Sequence, residues 1–204
     1  MTITLHQGDL SKEVKFSGSV AIDTETMGLN PHRDRLCLVQ LSSGDGNAHL
    51  VQIAKGQSEA PNLKKLLEDK DLIKIFHYAR FDVAVLKKYL DADVAPSYCT
   101  KIASKLVRTY TDRHGLKDLT RELLGIDISK QQQSSNWGAE ELSPAQLEYA
   151  ASDVYHLHKM MGKLDQMLAI SDRTDMAQKC FDFIPTRCAL DLEGWENTDI
   201  FAHS

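Results

Sequence analysis

A chain of 204 residues with 42% apolar side chains has the length for one α/β domain and the composition to bury a good core. Its formal net charge of −5, with no run of basic residues, argues against a protein that grips long nucleic acid along its backbone. No stretch approaches the ~20 apolar residues of a membrane span. The first residues lack the basic patch and apolar run of a signal peptide, so a cytoplasmic location with no membrane partner is expected. Cys37, Cys99, Cys180 and Cys188 form no Cys-x-x-Cys pair and read as free thiols in a reducing compartment.

In chain order, residues 1–18 are polar with a strand-like start. A strand near 19–25 follows, led by the apolar run Val20-Ala21-Ile22. A second strand covers 35–41, and Gly44-Asp45-Gly46-Asn47 forms a hairpin turn into a third over 48–53. A helix near 62–69 precedes a strand over 72–76. Val83, Val85, Leu86 and Leu90 supply the apolar positions of a helix over about 80–90. Two more helices are expected near 100–108 and 116–124, the second stopped by Gly125. The polar run Gln131-Gln132-Gln133-Ser134-Ser135 is either a solvated linker or an active-site loop. Ser143 as N-cap and Pro144 at the first position open a long helix that runs to about 168. Met176, Cys180, Phe181 and Ile184 mark an amphipathic helix that ends before Pro185. Trp195 and Phe201 suggest a tail that packs on its own domain or on a neighbouring subunit. This divides the chain into a catalytic domain over 1–170 and a C-terminal helix and tail over 171–204.

Three short motifs carry the chemistry. Asp23 and Glu25 lie two apart at the end of the first buried strand, so both reach one face. Asp82 falls in the first turn of a helix, where a carboxylate gains a little from the helix dipole. Tyr149 and Asp153 are four apart on a helix and share a face. Each alone is ordinary: a solvated turn, a first-turn acid, a half-buried aromatic with a surface acid. Together, four carboxylates converging on one point repel each other unless cations sit between them. Oxygen ligands suit Mg²⁺ or Mn²⁺, and two such ions form the usual clamp for in-line attack on a phosphodiester.

The order and spacing of these motifs resemble the DEDD exonucleases, in the tyrosine-containing branch that includes ribonuclease D. The resemblance covers roughly residues 19–165. Its flanks include Leu36-Cys37-Leu38-Val39-Gln40-Leu41-Ser42 and Trp137-Gly138 through Leu142-Ser143, Gln146 and Tyr149-Ala150-Ala151-Ser152-Asp153-Val154. It implies an α/β, ribonuclease H-like fold with a mixed central sheet flanked by helices. It implies 3′-5′ cleavage that releases nucleoside 5′-monophosphates. It also implies two divalent ions, Mg²⁺ or Mn²⁺, with Asp23, Glu25 and Asp153 at one, Asp23 and Asp82 at the other, and Tyr149 orienting or helping to deprotonate the attacking water.

The shortness of the tail, the acidic charge and two further stretches, 109–117 and 129–135, resemble the nano-RNase C (NrnC) subgroup. That resemblance implies diribonucleotides or short oligoribonucleotides as substrate, at the end of RNA or cyclic-di-GMP turnover, in a homo-oligomer without a separate RNA-binding module. Met27-Gly28-Leu29 resembles the Met-Thr-Gly-Leu of oligoribonuclease, a histidine-branch relative, which implies that Leu29 is a leucine wedge between two bases; otherwise it is a plain core leucine. Arg108, Arg113, His114 and Lys117 are candidates for a 5′-phosphate contact, and His77 is a substrate contact or a core hydrogen-bonding group. The rival enzyme is a general ribonuclease D-like 3′-5′ exonuclease on longer RNA or DNA, which needs a basic groove. The rival outside enzymology is an inactive nucleotide-binding scaffold, which predicts a lost carboxylate where none is missing.

Overall fold

Val20, Ala21 and Ile22 have no exposed surface because their strand lies inside a six-stranded sheet. The computed structural model describes residues 2–129 and 131–203. Its strands are β1 (Ile3–Gln7), β2 (Ser19–Thr26), β3 (Leu36–Ser42), β4 (Ala48–Gln52), β5 (Ile73–Phe76) and β6 (Ser97–Cys99). The sheet order is β1-β4-β3-β2-β5-β6. β2, β3 and β4 pair antiparallel, while β1 joins β4, β5 joins β2 and β6 joins β5 in parallel. Gly44 and Gly46 both take positive φ in the β3–β4 turn, a conformation glycine enters without steric cost. β6 went unread in the sequence, since three residues are too few to display a period.

The helices are α1 (Pro61–Leu67), α2 (Ala79–Leu90), α3 (Thr100–Val107), α4 (Leu116–Leu124), α5 (Pro144–Tyr155), α6 (Leu157–Ile170), α7 (Thr174–Asp182) and α8 (Ile184–Leu190). A π-type turn, Asp191–Trp195, follows. The long helix expected from 143 to about 168 is two helices that meet at His156, whose φ of −107° and ψ of −6° lie at the edge of the helical region. α5 packs over β2, β3 and β4, whereas α6 turns to meet β5, α3 and α4. Val154, Leu157, Met160, Leu164 and Leu168 are all buried, so the apolar pattern continues across the break and hides it. Pro185 also acts differently from the expected stop. It sits in the first turn of α8, where its missing N–H has no partner to lose. α8 packs on α2 and α7 on α3, which seats the C-terminal segment on this same domain. All four cysteines are free, and three of them are buried.

Candidate active site

β2 carries Asp23 and Glu25 to its C-terminal end, where the ladder with β3 shifts register after Glu25. Thr24 between them lines the same cleft, and its hydroxyl donates to Asp82 Oδ1 at 2.7 Å. Asp82 itself is buried in the first turn of α2. α5 contributes Tyr149 and Asp153, one turn apart. Its start is fixed by a capping box: the Gln146 N–H donates to the Ser143 hydroxyl (3.3 Å), and the Ser143 N–H donates to Gln146 Oε1 (3.0 Å). Carboxylate oxygens of Asp23, Glu25 and Asp153 lie within 4.8 Å of one another. With Asp82 and Tyr149 they line one cleft of about 670 Å³.

That crowding decides the protonation of the site. Burial, then Asp82, Asp153 and Glu25, push Asp23 well above the usual carboxylate range. Burial with Asp153 and Asp82 pushes Glu25 up to about 9. Burial raises Asp82 to about 7 despite the hydrogen bond from Thr24. Tyr149 is also raised, by burial first and then by Asp153, Glu25 and Asp23, and its hydroxyl is hydrogen-bonded to Asp153. An oxygen-only set of carboxylates that resist joint ionisation fits hard divalent cations such as Mg²⁺ or Mn²⁺. The residues that would hold them are Asp23, Glu25, Asp82 and Asp153.

Met27, Gly28, Leu29, His77 and Lys117 line the same cleft. Leu29 is 87% exposed, so it is no core leucine. The turn that presents it is compact: the Thr26 hydroxyl donates to the Gly28 carbonyl, and Asp34 accepts from the Asn30 N–H (3.0 Å) and from Arg33. A Cβ on Gly28 would collide with the Asp34 carboxylate. His77 is pulled down to about 3, chiefly by burial and then by Lys101, so it is neutral, with Nδ1 2.8 Å from the Thr100 hydroxyl.

The other three basic candidates do not reach the cleft. Arg108 is fully buried. Its guanidinium bonds the Glu122 carboxylate, the Ser104 hydroxyl (2.9 Å) and the Arg113 carbonyl (2.8 Å), so it braces a loop rather than meeting substrate. His114 Nδ1 is 2.8 Å from the same Ser104 hydroxyl. Gln133, Ser134 and Ser135 do line the cleft, which makes that polar run a site loop. Lys130, inside one of the stretches that carried the resemblance, lies outside the described residues. Lining residues that escaped the sequence reading as site residues include Tyr78, Phe81, Lys101 and Trp137. Trp137 is buried with its ring 6.0 Å from that of Tyr149. Lys101 belongs to no motif and had no local signal.

A model of the 3′-5′ exonuclease family matches residues 6–169. Ribonuclease D of Gluconacetobacter diazotrophicus is 35% identical over 156 residues, covering 76% of this chain and 39% of that protein. DNA polymerase I of Aquifex aeolicus is 34% identical over 180 residues, covering 87% of this chain and 28% of that one. The chain therefore spans well under half the length of these curated relatives. Among solved structures, Brucella melitensis NrnC with bound Mg²⁺ is 57% identical, with a TM-score of 0.96 and full coverage of both chains. The same protein bound to pGG is 58% identical with a TM-score of 0.97, again over both full chains. Escherichia coli RNase D, at 23% identity and a TM-score of 0.76, shares the fold, over 89% of this chain and 48% of that one. The mixed sheet with its flanking helices is thus the ribonuclease H-like fold of the DEDD exonucleases, and the chain belongs to the 3′-5′ exonuclease family.

Proposed function

We propose that this protein is a metal-dependent 3′-5′ exoribonuclease that degrades diribonucleotides and other short oligoribonucleotides to nucleoside 5′-monophosphates. The observation that carries this reading is the meeting of Asp23, Glu25, Asp82, Tyr149 and Asp153 in one cleft, from three separate elements. Asp23, Glu25 and Asp153 would hold one cation and Asp23 with Asp82 a second. Bound there, divalent ions supply a Lewis acid that stabilises charge on the phosphodiester during attack by water.

The protein's own groups do the rest. Tyr149, hydrogen-bonded to Asp153 on the same helix face, would orient the attacking water or help to deprotonate it. Trp137 backs the Tyr149 ring and limits its movement. Thr24 holds Asp82 in place. Leu29 projects into the cleft as an apolar wedge for two bases, and Lys117 offers an ammonium to phosphate. The likeness to a nuclease bound to pGG supports a substrate of that size. The net charge of −5 supports it too, because a polymer-tracking enzyme needs basic surface.

In this reading residues 1–170 are the catalytic unit and 171–204 a segment packed upon it. Among the described residues no helix is long and apolar enough to cross a membrane, and we place the protein in the cytoplasm. Exposed Ile170, Met176 and Phe201 supply apolar surface for self-association, which light scattering measures directly.

A length series tests the substrate. Initial rates on 5′-labelled RNAs of two to about seven nucleotides, with Mg²⁺, Mn²⁺ or EDTA, should favour the dinucleotide steeply. Rates that hold or rise with length would leave a general exonuclease. No metal-dependent product at any length would remove the enzyme.

A further inference from the structure

Tyr78 occupies an unfavourable backbone state at the rim of the cleft. Its φ of 79° and ψ of 45° are left-handed, a region where a bulky side chain meets its own backbone. The other non-glycine residues with positive φ, among those described, are Asp91 and Asp172, a type that tolerates it better. Tyr78 is also the N-cap of α2, and its side chain makes no capping hydrogen bond. Asn would serve both local demands better. Core packing does not account for the choice, because the residue is 45% exposed.

What the ring does touch is informative. Lys101 Nζ sits 4.3 Å from its centroid, which holds the ring in one orientation and brings an ammonium beside it. Both residues line the cleft that contains the carboxylates. Tyr78 and Leu29 together border that cleft and an adjoining cavity. An exposed aromatic ring, an exposed leucine and a cation at one cleft mouth suit a flat π-faced group joined to a phosphate. Strain kept by surrounding structure at such a place is a mark of function.

We propose that Tyr78 is a stacking platform for one nucleobase of the bound oligonucleotide, with Lys101 fixing the ring and facing the neighbouring phosphate. This rests on the nuclease reading above and makes Tyr78 a specificity-determining residue for base-bearing substrates.

The test is a cycle between the residue and the base. Wild type, Tyr78→Asn and Tyr78→Phe are each assayed with a 5′-phosphorylated diribonucleotide and with two analogues, each carrying one abasic ribose. Stacking on an aromatic side chain accounts for about tenfold in binding. Tyr78→Asn should therefore raise KM about tenfold on the dinucleotide, and change it less than about twofold on the analogue that lacks the stacked base. Tyr78→Phe should match wild type. Relief of the left-handed strain should raise the Tm of Tyr78→Asn by about 2–4 °C. Unchanged KM in Tyr78→Asn, equal losses on all three substrates, or a lowered Tm would each overturn the assignment. A wild type that cleaves none of the three with Mg²⁺ or Mn²⁺ would overturn the nuclease reading and this inference with it, a result distinct from equal losses by an active enzyme.

Discussion

Asp23 is crowded by Glu25, Asp82 and Asp153, and ionising it in that company is costly without a cation. Two consequences have opposite signs. Asp23→Ala should raise the Tm measured in EDTA, because one repelling carboxylate is gone. It should lower turnover of a dinucleotide by at least about 10³-fold, the scale of losing a residue that acts as part of a catalytic unit. Wild-type turnover in this variant, followed by chromatography of the products, would remove Asp23 from the metal-binding set. Tyr149→Phe isolates the hydroxyl, since the ring stays against Trp137. A loss of about 10²-fold in kcat is expected, typical of one positioned proton-handling group. Mg²⁺ affinity by calorimetry should stay within about twofold of wild type. These side chains were readable from sequence because each pair is set by local geometry, two apart on a strand or four apart on a helix. Arg108, one candidate for a phosphate contact, pairs instead with Glu122, a partner that α4 brings to it and that no local pattern announces.

At the scale of elements, the loop between α3 and α4 is held by a buried cation. Arg108 ties the Arg113 carbonyl and the Ser104 hydroxyl to Glu122, and Tyr110 adds a hydrogen bond of 2.5 Å to the same carboxylate. Glu122→Ala leaves that guanidinium buried without its counter-charge. Stability should fall by about 2 kcal/mol, discounted from a fully buried pair because Glu122 is itself partly exposed. Urea denaturation gives the stability, and KM for a dinucleotide should not move. A raised KM at unchanged stability would return Arg108 to the substrate. The break at His156 belongs to this scale as well. It lets α5 lie over β2–β4 with Tyr149 and Asp153 while α6 packs elsewhere. An uninterrupted helix would have to serve both surfaces with one axis.

For the whole molecule, the raised carboxylates link folding to pH. Their folded-state pKa values lie above those of the unfolded chain, with Asp82 at about 7 and Glu25 at about 9. Between the ordinary carboxylate range and about 9, the folded metal-free protein holds protons that the unfolded chain has released. The carboxylates' contribution to stability is therefore greatest below that window and falls as pH rises through it. Buried neutral histidines such as His77 act in the opposite sense below about pH 6.5, so the Tm in EDTA should drop from about pH 7 to pH 9. Added Mg²⁺ should restore most stability at the alkaline end, because cation binding competes with protons at the same oxygens. A Tm in EDTA that climbs over this range would show that the four carboxylates do not share one site.

The amino-acid sequence by itself determined the strand that carries Asp23 and Glu25, the helices that carry Asp82, Tyr149 and Asp153, and the family. The elements rest on short-range periodicity and spacing, which a linear chain displays directly, and the family on the resemblance of its motifs. Only the tertiary structure decided which basic residues reach the cleft, where the long helix breaks, and that α8 seats the tail on α2. Each of these depends on partners far apart in the chain. The ion pair of Arg80 with Asp191, 2.6 Å apart across 111 positions, is one case. Such pairings leave no periodic trace, because a single charged residue looks the same whether it meets solvent, substrate or a buried counter-ion.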